Sequence, residues 1–86
     1  MMRLKVEELK EGLHPSEVIV SVKTETGAER LVVSRRSLDR DRLTVGWPLA
    51  TKEGRVLVEL PRETQSGAWR VWVDEDQLES DERMRA

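Results

Sequence analysis

The chain has 86 residues, 37% of them apolar and 37% charged, with five Gly, three Pro and no Cys. That is enough for one small domain, because independently folding units need more than about 50 residues each. Without Cys and with a single His, the chain has no thiol nucleophile, disulfide, zinc finger or iron–sulfur ligand set, and a net charge of −2 argues against a dedicated nucleic-acid binder, whose footprint is a domain-wide basic excess.

At the N-terminal end, Met2, Val6, Leu9 and Leu13 fall on one helical stripe, and this spacing predicts a short helix over residues 4–11. Gly12 suits its C′ position and Pro15 lies just beyond, two features common after helix ends. Met2, Leu4 and Val6 also alternate as strand residues do, but the helix is the preferred reading. The first residues contain no continuous apolar run, and charges interrupt every stretch long before the ~18 apolar residues of a membrane span. A cytoplasmic protein that does not enter the membrane is therefore expected.

From residue 17 the period changes to two. Segments 17–24, 29–35, 42–47, 55–60 and 68–73 alternate apolar and polar residues, as half-buried strands do. Val (11) and Ile (1) together outnumber Leu (10), and the three aromatic residues are all Trp, a composition that leans toward β structure. The connections at 25–28, 51–54 and 62–67 each hold a Gly able to take φ > 0, and 36–41 is short and polar apart from Leu38. Antiparallel returns follow, because a parallel crossover needs a dozen or more residues. Pro48 and Pro61 each end a strand by withdrawing a donor from the ladder. Asp74, three residues before Gln77, has the spacing of a capping box that opens a brief helical turn, with Leu78 folding back. The acidic stretch 79–86 is read as a disordered tail beyond a single domain of residues 1–78. No internal repeat or low-complexity tract is evident.

Parity along the strands gives one apolar face: Val18, Val20, Val22, Leu31, Val33, Leu43, Val45, Trp47, Val56, Val58, Leu60, Trp69, Val71 and Val73. A single sheet with one apolar face must curl or be covered. The expected fold is therefore mainly β, a five-stranded antiparallel meander closed into a small barrel, with the short N-terminal helix beside it. In strand number and size it resembles an SH3-like barrel. That likeness is architectural only, and the proline-rich ligands of SH3 domains do not transfer, since no Tyr is present to line such a groove.

The opposite parity carries one large apolar residue on each of four strands: Ile19, Val32, Leu57 and Trp72. With strand five beside strand one these become neighbours in a continuous outer band, which needs a cover. The N-terminal helix is one candidate cover. A protein partner or a second copy of the chain is another, with Trp72 as anchor; a bulge that turns Trp69 and Trp72 inward is a third possibility. The leading functional expectation is a non-enzymatic protein-interaction module or homo-oligomer subunit that uses this band.

The alternative is nucleic-acid binding through Arg35, Arg36, Arg40, Arg42 and Arg70, with Trp47 or Trp72 stacking on a base. In the stretch 35–42 four Arg are offset by Asp39 and Asp41, which gives a weak and salt-dependent patch. No catalytic set is identifiable. His14 with Ser16 or Ser34 lacks a nucleophile elbow. An EF-hand loop starting at Asp74 fails at its fifth and sixth positions, Leu78 and Glu79. No phosphate-binding glycine loop is present, and neither a metal nor a cofactor is expected.

Overall fold

The structure, a computed structural model, describes residues 1–80. Among these residues the chain forms ten strands, all paired antiparallel. They are β1 (Met2–Lys5), β2 (Glu7–Glu11), β3 (Glu17–Thr24), β4 (Gly27–Ser34), β5 (Leu38–Asp39), β6 (Arg42–Val45), β7 (Ala50–Lys52), β8 (Arg55–Glu59), β9 (Arg70–Asp74) and β10 (Leu78–Ser80). Single turns of 3-10 helix, η1 (Arg35–Ser37) and η2 (Glu75–Gln77), follow β4 and β9. The strands make three sheets, in the orders β10-β1-β6-β5, β2-β3-β4 and β7-β8-β9.

The five expected strands are all present as β3, β4, β6, β8 and β9, and hairpins β3–β4 and β8–β9 pair as the turn chemistry requires. The closed meander is not formed. β6 takes β1 and β5 as its neighbours, so the segment at 42–47 pairs with neither 29–35 nor 55–60. Between β7 and β8, Lys52 faces Arg55 across Glu53 and Gly54, both at positive φ (48° and 80°), the signature of a two-residue hairpin turn that follows the strand twist.

The N-terminal helix is also absent. Residues 2–5 lie between β6 and β10 as an interior strand, and 7–11 pair with β3 through a bulge at Leu9. Period two prevails over the helical stripe because it sends Leu4 and Val6 into the core, at 0% and 5% exposure, while Leu13 on the stripe is 98% exposed. β10 includes Glu79 and Ser80, so the domain boundary expected after residue 78 falls inside a strand, and the remainder of the expected tail, 81–86, lies outside the described residues. The turn at Asp74 does form. The Asp74 N–H donates to Gln77 Oε1 at 3.1 Å, and Gln77 Nε2 donates onward to the Lys23 carbonyl.

The fold contains a repeat that the linear reading misses. Exchanging each strand with the one five places along maps the three sheets onto themselves: β2-β3-β4 becomes β7-β8-β9, and β10-β1-β6-β5 becomes its own reverse. The fourteen buried apolar residues divide equally. Leu4, Val6, Val18, Val20, Val22, Leu31 and Val33 belong to the first half, and Leu43, Val45, Val56, Val58, Leu60, Val71 and Val73 occupy the matching places in the second. Leu4 and Leu43, equivalent residues, face each other across β1 and β6, so the pseudo-two-fold axis passes between them. In sequence the repeat shows best between 24–40 and 64–80, where Thr, Gly, Ala, Arg, Val and Leu coincide at 24/64, 27/67, 28/68, 30/70, 33/73 and 38/78.

The halves brace each other reciprocally at their hairpin tips. The Glu25 N–H donates to the Trp72 carbonyl at 3.1 Å, and the equivalent Gln65 N–H donates to the Arg30 carbonyl at 2.8 Å. Thr64, a buried polar residue, accepts the Ala68 N–H and shares a hydrogen bond with Ser66, whose hydroxyl donates to Glu29 Oε1 at 2.6 Å. The Ser66 hydroxyl, with Thr64 behind it, holds the Glu29 carboxyl below the usual glutamate range. A carboxylate so favoured in the folded state adds stability above its unfolded pKa, and that stability is lost as pH falls through the folded value. Ser66→Ala should therefore move the Glu29 midpoint up toward the ordinary value in a carboxyl NMR titration and weaken the acid dependence of unfolding. An unmoved midpoint would mean that this hydrogen bond does not set it.

Candidate functional site

Twelve of the fourteen residues assigned to the core from parity are buried; the exceptions are Trp47 and Trp69, which are 55% and 52% exposed. Leu4 and Val6 take their places in the core. Each Trp follows the interior parity of its strand but lies past the end of regular pairing. Trp47 comes after β6 has ended and beside Pro48, and Trp69 immediately precedes β9, with its carbonyl accepting the Leu60 N–H. A large side chain there keeps the inward parity but has no opposing layer to bury it.

The four residues of the expected outer band are all half-buried. Ile19 pairs with Val32 on β3–β4 and Leu57 pairs with Trp72 on β8–β9. These are equivalent pairs on two separate sheets, not one row on four adjacent strands. The first pair has an intramolecular neighbour, because the backbone at Gly12 passes so close that an added Cβ would lie 3.4 Å from Val32 Cγ1 and 2.9 Å from Glu17 Cβ. Trp72 borders a small cleft of about 120 Å³ whose other walls are the charged residues Glu25, Lys52, Glu53 and Arg55.

The five arginines of the alternative reading are dispersed and largely engaged. Arg35 Nε donates to the Pro15 carbonyl at 2.9 Å, and its Nη1 lies 3.9 Å from Glu8. Arg42 Nε is 3.7 Å from both Asp41 and Glu79, and Arg70 Nε is 3.3 Å from Glu59 on the neighbouring strand. Arg36 on η1 and Arg40 in the β5–β6 turn are exposed and make no ion pair with a described residue. His14 is exposed at the β2–β3 tip, where its carbonyl accepts the Glu17 N–H, and Ser34 Oγ accepts the Arg36 N–H. Among the described residues no group of three or more His, Cys, Asp or Glu is placed to hold a metal ion, and no helix is long and apolar enough to cross a membrane.

Trp47, Leu49 and Met1, three of the six exposed large apolar residues among those described, line a cleft of about 380 Å³ together with Val45, Leu60 and Pro61 among others. It opens where the chain crosses from β6 to β7. Leu49 N–H still bonds to the Leu57 carbonyl, but Pro48 has no donor to continue the ladder, so the chain parts from the end of β8 and leaves a slot. The first half has a cleft at the equivalent place, of about 790 Å³, lined by Lys5, Val6, Glu7, Glu8, Ser21 and Lys23, with Asp41, Asp74 and Asp76 also contributing.

Comparison of the chain with protein-family models, with curated proteins and with solved structures found no match. The two clefts can nevertheless be compared with each other. Position by position, Lys5, Glu7, Glu8, Ser21 and Lys23 of the first half become Thr44, Gly46, Trp47, Glu59 and Pro61 of the second, while Val6 and Val45 stay equivalent and buried. The same framework therefore carries charge in one half and an aromatic, proline-walled slot in the other. Nothing in parity could single out this slot, since Trp47 reads as interior there; the useful sequence signal was Trp47-Pro48-Leu49, an apolar run broken by a strand terminator.

Proposed function

We propose that this chain is a non-enzymatic protein-interaction module, or the subunit of a homo-oligomer, acting in the cytoplasm, and that it docks its partner in the cleft around Trp47. The contrast between the two equivalent clefts carries this reading. The first half holds its fold with Glu8 and Lys23 at the places of Trp47 and Pro61, so the fold does not require those two residues in the second. Exposed large apolar side chains around a concave slot, with Trp among them, are what a partner's apolar side chain needs. Leu49 and Met1, which line the same cleft and are 49% and 58% exposed, extend the apolar surface available for contact. The Ile19–Val32 and Leu57–Trp72 pairs, first candidates for the contact surface, are better used as outer sheet packing, each pair half-covering itself.

The nucleic-acid reading has less support, because Arg35, Arg42 and Arg70 already face carboxylates. Retention on heparin or single-stranded DNA that falls steeply with salt would revive it.

Two measurements test the leading reading. Sedimentation over a range of concentrations detects self-association, and selection from a displayed peptide library detects an extended apolar ligand. In either case binding should disappear in a Trp47→Glu chain and persist in a Trp72→Leu chain. A strictly monomeric protein that selects no peptide, or a ligand indifferent to Trp47, would sink it.

A further inference from the structure

The two halves are joined covalently at one place, the turn Arg40-Asp41 between β5 and β6; all else between them is non-covalent. β1 of the first half pairs with β6 and β10 of the second. Each hairpin tip donates to the other half, Gln77 reaches the Lys23 carbonyl, and Arg62 and Arg55 face Glu17 and Glu25 across the division. The single core cluster is assembled from both sets of seven apolar residues. All of these contacts are regained if a half is supplied by another chain, and only the turn has to change.

The turn itself is poorly suited to the closed form. Arg40 has φ 62°, a left-handed conformation that Gly takes freely and that a long side chain on an L-residue disfavours. Only Leu38–Leu43 and Asp39–Arg42 pair across this hairpin. A short hinge under strain favours exchange of the elements it joins. We infer that the partner of each half is, in a second assembly state, the complementary half of another copy of this chain: two molecules open at Arg40-Asp41 and exchange halves to give a two-fold dimer. This inference does not rest on the Trp47 cleft, whose walls come from the second half apart from Met1.

The chain lacks Cys, and this permits a direct test. Arg3 and Thr44 lie opposite each other on β1 and β6, and opposed residues of antiparallel strands have Cα atoms about 4.5–5.5 Å apart, within reach of a disulfide. One full-length chain carries Arg3→Cys and another Thr44→Cys; they are unfolded together, refolded at high concentration and oxidised. Exchange gives a disulfide-linked heterodimer with the far-UV spectrum of the unmodified protein, and neither variant alone gives it in comparable yield. Adding Arg40→Gly to both chains relieves the turn and should lower the linked fraction about fivefold or more. If the Arg3 or Thr44 variant does not refold, Lys5→Cys with Arg42→Cys, the other end of the same pairing, replaces the pair. Refolded chains without the linked heterodimer, or equal linking in the single-variant controls, would overturn the inference.

Discussion

Leu4→Ala should destabilise the protein by about 3 kcal/mol and lower the midpoint of thermal unfolding by roughly 12–24 °C, whereas Leu13→Ala should change stability by no more than about 0.5 kcal/mol. Both residues belong to the N-terminal segment, and a helix over residues 4–11 would give weight to the stripe that ends in Leu13. The strands decide otherwise. Leu4 is fully buried on an interior strand, opposite Leu43 on one side and Leu78 on the other, so its truncation leaves a cavity between three strands that share no slack. Leu13 projects into solvent at the β2–β3 tip. Circular dichroism melts of the two variants separate the alternatives, and equal midpoints would mean that the N-terminal segment does not pair as described.

The largest expected effect on binding comes from Trp47→Glu. It places in the second half the residue type that the first half holds at the equivalent position, Glu8, so the framework already tolerates a carboxylate there. The melting midpoint should stay near that of the parent, because a half-exposed position outside regular pairing contributes little to stability. Affinity for a bound peptide or second copy should fall by at least about 2 kcal/mol, roughly thirtyfold, through loss of the aromatic anchor and burial of a charge against the partner. Fluorescence anisotropy of a labelled peptide and unfolding of the same sample measure the two quantities together. A large loss of stability would show Trp47 to be a fold residue, and unchanged affinity would place the contact elsewhere.

Alternation made most of the core legible. Valines at 18, 20 and 22 and at 56 and 58 sit inside long strands flanked by glycine turns, and period two has no competitor there. It failed where strands were too short to show a period. β5, β7 and β10 have two or three residues each, and Leu38 and Leu78 look like isolated apolar residues in polar loops until their neighbours are known. For residues 2–13, two periods fitted the same residues, and tertiary pairing with β6 and β10 decided between them. The Trp47 slot was invisible for a different reason: parity gives the direction of a side chain but not whether a second layer exists at that end of the strand. The repeat is faint in the sequence because its identities are scattered, and insertions at the connections vary the spacing between 38 and 40 residues along the chain.

The place of Leu4 and Leu43 on the pseudo-two-fold axis has a consequence for how this core can change. In a strictly symmetric pair of identical chains, a residue on the axis meets its own copy, so every change of size there is imposed twice and its cost is doubled. Here the two positions belong to one chain and are encoded separately. A larger residue at 4 can be met by a smaller one at 43, and the centre of the sheet can be adjusted in steps half as large as symmetry would allow.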